Sequence, residues 1–268
     1  MTTTLGRPDA PGRDAAPAPE PPPTRVIRIR RTAHGDGTPR WDRVPVPVRS
    51  SRMTVLDALT WIRSRVDPTL DVRHSCFHAS CGTCGMRVDG REVLACVTRL
   101  DDLHDGEVVV EPLRNQPLVS DLVVDIETLY EALDAMAVPP VRSSTLVAGG
   151  RAAEGVDRLG RFEDCIECGL CVSACPIEAT DAAYEGPAVL GAAWRLLDEP
   201  RGTDPAAALE LVDGDQGAWR CHLAFECSEA CPSDAAPGEH ILHLRRGLLR
   251  RRIAAVLGRR RGADGSGA

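Results

Sequence analysis

CIECGLCVSACP, residues 165–176, decides the reading of the chain. Cys165, Cys168, Cys171 and Cys175, closed by Pro176, spell C-x2-C-x2-C-x3-C-P, a run that holds cubane iron–sulfur clusters. Three thiolates at this spacing wrap one cluster within a single tight turn, and Gly169 lets the backbone approach. The fourth cysteine, set against proline, cannot fold back onto the same cluster and ligates a second one.

CHLAFECSEACP, residues 221–232, is the partner stretch. Counting back from Cys231 and Pro232, the template positions hold Cys221, Ala224, Cys227 and Cys231, so alanine stands where one cysteine belongs. Crossed ligation then gives Cys165, Cys168, Cys171 and Cys231 to a 4Fe–4S cluster. Cys175, Cys221 and Cys227 are left for the other, with no thiolate at its fourth corner. An iron without a protein ligand is easily lost, so the expectation there is a 3Fe–4S cluster. Fewer thiolates also mean less negative charge and a higher reduction potential.

A third set lies upstream. Cys76, Cys81, Cys84 and Cys96 have the C-x4-C-x2-C…C spacing of a 2Fe–2S cluster. Together the three sets use all eleven cysteines and leave no thiol over. C-x2-C pairs also build tetrahedral zinc sites, but two different iron–sulfur spacings in one chain favour clusters. A disulfide framework is disfavoured by the odd count and by the lack of a secretion signal.

The 268 residues suit two modest domains, and 43% hydrophobic with 26% charged residues is an ordinary globular composition. Every basic residue is arginine, which reads as codon bias. A net charge of −7 does not suggest nucleic acid as a partner. No apolar run approaches the roughly 18 residues needed to span a bilayer. The opening MTTTLGRPDAPGRDAAPAPEPPP has no hydrophobic region, and Arg30–Arg31 is followed by polar residues, so neither export signal is expected. The reading places the protein in the cytoplasm, where thiols stay available for iron.

Along the chain, residues 1–23 are expected as a disordered tail. RVIRIRR (25–31) alternates as a strand; a turn from His34 to Pro39 leads to WDRVPVPV (41–48), whose prolines suit an exposed edge. TVLDALTWIRSRV (54–66) is amphipathic, with Val55, Leu59, Ile62 and Val66 on one face and Ser50 or Ser51 as cap. Gly82 and Gly85 permit tight wrapping in the cysteine loop, and GMRVDGREVLAC reads as a hairpin turning at Asp89–Gly90. EVVVEPL (107–113) is a further strand, and 120–136 reads as a helix closing the first domain. A linker is expected at 137–160, then a helical domain at 161–258 and a disordered tail at 259–268. Within it, 186–200 carries Val189, Leu190, Ala193, Leu196 and Leu197 on one side, 205–211 is a short helix, and a basic helix follows Cys231. The fold class is α+β.

The element order of residues 24–136 is that of the β-grasp plant-type ferredoxins, and the second half is similar to bacterial ferredoxins. With SCFHASCGTCGMRVDGREVLAC, VVVEPLRNQPLVSDLVVDIE, CIECGLCVSACP, GPAVLGAAWRLLDEPRG and CHLAFECSEACP in this order, residues 24–258 resemble the iron–sulfur subunit of succinate dehydrogenase and fumarate reductase. The resemblance implies a FAD-bearing flavoprotein subunit on one side and a membrane anchor with a quinone on the other, the chain lying peripherally on the cytoplasmic face. It also implies single-electron transfer through the three clusters, with no acid–base apparatus in this chain, and repeats the 3Fe–4S assignment. Pro176 and His222 match quinone-site positions of the family, and Arg245 falls where fumarate reductases often keep a basic residue near the quinone. Thr180 replaces a tryptophan that many succinate dehydrogenases carry, which favours menaquinone. The alternative is a freestanding multi-cluster carrier, in which a cysteine at 224 is expected. His34, His74, His78 and His104 read as structural, and the eight arginines from Arg245 to Arg261 read either as a contact for anionic lipid or the anchor, or as a solvated face.

Overall fold

The computed structural model describes residues 21–32, 38–136, 164–198 and 206–264. Most of the expected N-terminal tail, the 34–37 part of the first turn and the linker at 137–160 lie outside them.

Strand β1 (Thr24–Arg31) alternates as its sequence requires, with Ile27 and Ile29 fully buried on one face. It pairs antiparallel with β2 (Arg40–Pro47) and parallel with β5 (Val108–Glu111). The hairpin β3 (Gly85–Val88) and β4 (Arg91–Leu94) completes a sheet of order β2-β1-β5-β3-β4. Pro45 and Pro47 therefore sit on an edge strand, where a missing N–H leaves no ladder bond unmade on the open side. Asp89 (φ 49°) and Gly90 (φ 81°) supply the two left-handed residues of the β3–β4 turn.

Helix α1 (Val55–Arg65) lays Val55, Leu56, Ala58, Leu59 and Ile62 on this sheet. Its cap is Thr54, not Ser50 or Ser51. Thr54 Oγ1 accepts from Asp57 N at 3.1 Å and Asp57 Oδ2 accepts from Thr54 N at 2.9 Å, a reciprocal capping box. Val66 is half exposed because the helix ends at Arg65 before that face comes round again.

The helix expected over 120–136 is shorter. Its first residues form a hairpin, β6 (Leu118–Ser120) and β7 (Val123–Val124), and α2 starts at Glu127 and ends at Ala135. Asp121, at φ 42° in the hairpin turn, explains the change. Its carboxylate is buried, accepting from Thr32 N at 2.9 Å and Asp71 N at 3.0 Å, with Arg31 Nε 2.9 Å away. Arg31 is itself buried and donates to Asp67 at 2.7 Å and Asp42 at 3.1 Å. A helix through 121 forfeits this long-range anchoring.

All described residues from 164 onward are helical or irregular. They comprise α3 (Leu170–Ala174), α4 (Gly186–Asp198), α5 (Ala206–Val212), α6 (Glu226–Glu229) and α7 (Pro237–Asp264). Helix α4 is buried nearly all round, from Pro187 to Ala193 as well as at Leu196, and Leu197 is only partly buried. Helix α7 runs on to Asp264, so the tail expected from 259 begins as helix. Among the described residues no helix is long and apolar enough to cross a membrane.

Two hydrophobic cores result. One lies between the sheet and α1; the other gathers α2, α4, α5 and α7 through Leu133, Leu190, Leu209, Ile241 and Leu244. Leu170 breaks the expected division. It lies between Cys168 and Cys171, yet it is fully buried in the first core.

Candidate functional site

The first cysteine loop curls through left-handed residues Phe77 (φ 61°), Ala79 (φ 62°) and Gly82 (φ 70°). This curl turns main-chain donors inward. Cys76 Sγ accepts N–H groups from His78 (3.4 Å), Ser80 (3.3 Å) and Cys81 (3.4 Å), and Cys96 Sγ accepts from Ala79 N at 3.3 Å. Thr83 Oγ1 stands 3.0 Å from Cys81 Sγ. The strand β4 and the turn after it return Cys96 to the loop, as the hairpin reading requires. The donors, led by His78 N–H, bring the Cys76 thiol down to about 6, whereas burial pushes Cys84 up to about 12. Such N–H arrays stabilise charge on sulfur and tune a bound metal.

The other seven cysteines line two hollows. Cys165, Cys168, Cys171 and Cys231 surround one, with Ala235 N donating to Cys231 Sγ at 3.2 Å. Burial pushes Cys168 up to about 11 and Cys171 well above the ordinary thiol value. Cys175, Cys221 and Cys227 surround the second, together with Ala224. Leu223 (φ 56°) and Phe225 (φ 63°) bend the chain on either side of Ala224, and Leu223 N donates to Cys221 Sγ at 3.3 Å. Burial, with the neighbouring Cys175 and Cys221, raises Cys227 to about 12.

Helix α3 explains the sharing of one motif between two hollows. Cys171 is on its first turn, and Cys175 follows its last residue in extended conformation (φ −70°, ψ 120°) before Pro176. The chain therefore leaves the first hollow as it delivers Cys175 to the second.

The donor sets fit clusters better than single ions. Among the described residues no three or more of His, Cys, Asp and Glu converge on one point as a mononuclear site needs. The thiols surround hollows instead. They are all-sulfur, buried or partly buried, and several are met by N–H groups, which suits iron–sulfur groups.

Pro176 and His222 both line the three-cysteine hollow. Arg245 does not. Its Nε donates to Ala218 O at 2.7 Å, and its terminal nitrogen reaches Trp219 O at 2.9 Å and the carbonyl of Cys221. It braces the turn that presents Cys221 rather than lying free on a solvated face. Among the predicted structural histidines, His104 faces Asp89 at 3.4 Å, His74 packs against Phe77, and His34 lies outside the described residues.

The two cysteine-rich halves touch directly. A Cβ placed on Gly82 meets Cys168 Cβ at 2.7 Å, and one on Gly85 meets Leu170 Cδ1 at 2.7 Å. Sequence reasoning gave both glycines a role within their own loop. Their closest non-local constraint is the neighbouring loop, which no local pattern discloses. Tyr184, buried against the three-cysteine hollow, was also not singled out.

Comparison with known proteins agrees with this geometry. Residues 24–131 match the family described as 2Fe-2S iron-sulfur cluster binding domain, and residues 161–235 match the 4Fe-4S dicluster domain. The fumarate reductase iron-sulfur subunit of Mycobacterium tuberculosis is 36% identical over 209 residues, covering 75% of this chain and 83% of its own length. The Haemophilus influenzae subunit of the same name is 32% identical, covering 82% and 91%. A chain of the Mycobacterium smegmatis Sdh1 complex in the apo form superposes with a TM-score of 0.76 at 26% identity, over 85% of this chain and 96% of that one.

Proposed function

We propose, from the premise that this chain belongs to the family of fumarate reductase iron–sulfur subunits, that it joins a FAD-bearing flavoprotein to a quinone at the cytoplasmic face of the membrane. It carries a 2Fe–2S and a 4Fe–4S binding domain and is an electron-transfer subunit of the succinate dehydrogenase and fumarate reductase type. In this reading Cys76, Cys81, Cys84 and Cys96 hold the 2Fe–2S cluster; Cys165, Cys168, Cys171 and Cys231 hold the 4Fe–4S cluster; and Cys175, Cys221 and Cys227 hold a 3Fe–4S cluster.

The observation that carries the reading is the asymmetry of the two hollows. One is lined by four cysteines and the other by three, with Ala224 on its wall. When bound, the clusters supply one-electron exchange between the two-electron chemistry of the flavin and that of the quinone. The protein's own part is positional and electrostatic. The loop N–H groups set the charge on Cys76 and Cys96, the glycine contacts bring the two halves together, and burial keeps water from the inner thiols. Pro176 and His222, on the rim of the three-cysteine hollow, are the residues of this chain that face the quinone. Arg245 acts behind them by fixing the Cys221 carbonyl, and Thr180 favours menaquinone.

The test is purification of the native complex, with iron and acid-labile sulfide quantitation and EPR of the oxidised protein. The expected result is about nine iron per chain, an oxidised three-iron signal, a flavoprotein in the same complex and succinate-dependent quinone reduction. A zinc-containing chain without sulfide, or a chain with no flavoprotein partner, refutes the reading.

A further inference from the structure

Helix α3 carries Cys171 of one hollow and delivers Cys175 of the other just past its last residue, yet it is only five residues long. Most of its carbonyls have no partner within the helix. The first domain supplies donors to two of them, Val172 O and Ser173 O, and to the flanking carbonyls of Gly169 and Cys175. Asn115, in the strap that leaves β5, has φ 61°, a left-handed position that asparagine tolerates. Its Nδ2 donates toward Val172 O at 2.8 Å, Cys175 O at 3.0 Å and Ser173 O at 3.2 Å. Two hydrogens thus serve three acceptors gathered at one helix end.

The residues on either side repeat the pattern. Arg114 N donates to Ser173 Oγ at 2.9 Å, and Gln116 Nε2 donates to Gly169 O at 3.2 Å at the start of the helix. Ser173, fully buried, donates in turn to Glu92 Oε1 at 3.0 Å, and Glu92 lies on β4, the strand that leads to Cys96. A continuous run of hydrogen bonds therefore connects the hairpin of the two-iron loop to the main chain of Cys175.

We infer that Asn115 is a positioning residue for the three-cysteine centre: through the carbonyls of Val172, Ser173 and Cys175 it fixes where the Cys175 thiolate enters the second hollow. The inference rests on the cluster reading above. It makes the first domain a structural determinant of a centre to which it contributes no ligand.

The experiment compares wild type, Asn115→Gly and Asn115→Asp in the purified complex under an oxidant with an iron chelator. Asn115→Gly keeps the left-handed turn and removes the donors; Asn115→Asp keeps the shape and turns a carboxylate toward three carbonyls. Two lost hydrogen bonds of ordinary strength open the helix end on the order of thirtyfold more often. The oxidised three-iron EPR signal is expected to decay faster by about that factor in both variants, while the two-iron signal, read in matched aliquots after reduction because the oxidised two-iron centre is diamagnetic, keeps its wild-type rate. Equal three-iron decay in all three proteins overturns the inference, and so does parallel loss of both signals, which indicates general unfolding. Should neither variant assemble, Asn115→Ser, which keeps one donor of the two, is expected to accelerate loss about fivefold, an unchanged rate again overturning it. A wild-type protein with no three-iron signal refutes the cluster reading instead, and the role of Asn115 is then read from the rate of iron release against the two-iron signal.

Discussion

Gly82→Ala tests the contact between the two halves directly. The residue has φ +70°, and an added Cβ lies 2.7 Å from Cys168 Cβ, 3.0 Å from Cys168 Cα and 3.2 Å from Ile166 O. None of these is the end of a flexible side chain. Restoring a van der Waals spacing of 3.4 Å to Cys168 Cβ requires the loops to part by roughly 0.7 Å. The left-handed backbone costs about 1–2 kcal/mol for alanine, and overpacking at a fixed wall adds about 1–3 kcal/mol. A total destabilisation of about 2–5 kcal/mol is expected. Gly90→Ala is the control. Its φ is +81°, but the nearest atom, Arg87 Nη2, is 3.9 Å away, so only the backbone contribution applies. Denaturant unfolding followed by tryptophan fluorescence measures both, and EPR relaxation reports the spacing of the two centres. If Gly82→Ala is no more destabilising than Gly90→Ala and leaves the relaxation unchanged, the close approach of the loops is wrong.

Two further substitutions probe separate parts of the structure. Ala224→Cys adds a thiol to the wall of the three-cysteine hollow, so under the proposed ligation a four-iron centre with a lowered reduction potential is expected in place of a three-iron one; redox titration with EPR checks this, and persistence of the oxidised three-iron signal contradicts it. Asp67 is held below the ordinary carboxylate value of 3.8 by the Thr69 hydroxyl first, then by the Arg31 guanidinium and the Thr69 N–H. A depressed folded-state value contributes stability that is full above the unfolded value and is lost as the pH falls through the folded one. Wild type is therefore expected to exceed Asp67→Asn in denaturant midpoint at neutral pH, and the gap is expected to start narrowing below about pH 5 and to go on narrowing well below about pH 3, toward the depressed folded-state value. A gap independent of pH assigns the effect to packing instead.

The grouping of the thiols around two hollows was legible because their spacing is local. Thiol spacings within a few residues dictate a loop around a cluster, and the absence of a cysteine at 224 is visible in the sequence alone. Strand alternation in β1 and the prolines of β2 were legible for the same reason. The capping box at Thr54 and Asp57 was equally local, and the serines drew attention from it. What escaped was long-range. Leu122, Val123 and Val124 suit a helix or a hairpin equally; the choice falls to Asp121, whose partners Arg31, Thr32 and Asp71 are distant in sequence. Asn115 resembles any turn asparagine until Val172 and Cys175 are brought beside it. Arg245 read as a basic residue near the quinone or as part of a solvated face, and its bracing role escaped because its acceptors are backbone carbonyls, which carry no sequence signature.

The burial of Leu170 in the sheet-and-helix core has a consequence for biogenesis. A ribosome delivers residues 24–136 before Leu170 emerges, so the earlier half can present a finished socket for a leucine made later. Cutting the gene between the halves would leave that socket empty and the leucine bare. The two pieces are expected to be poorly soluble apart, and to recover iron only when produced together.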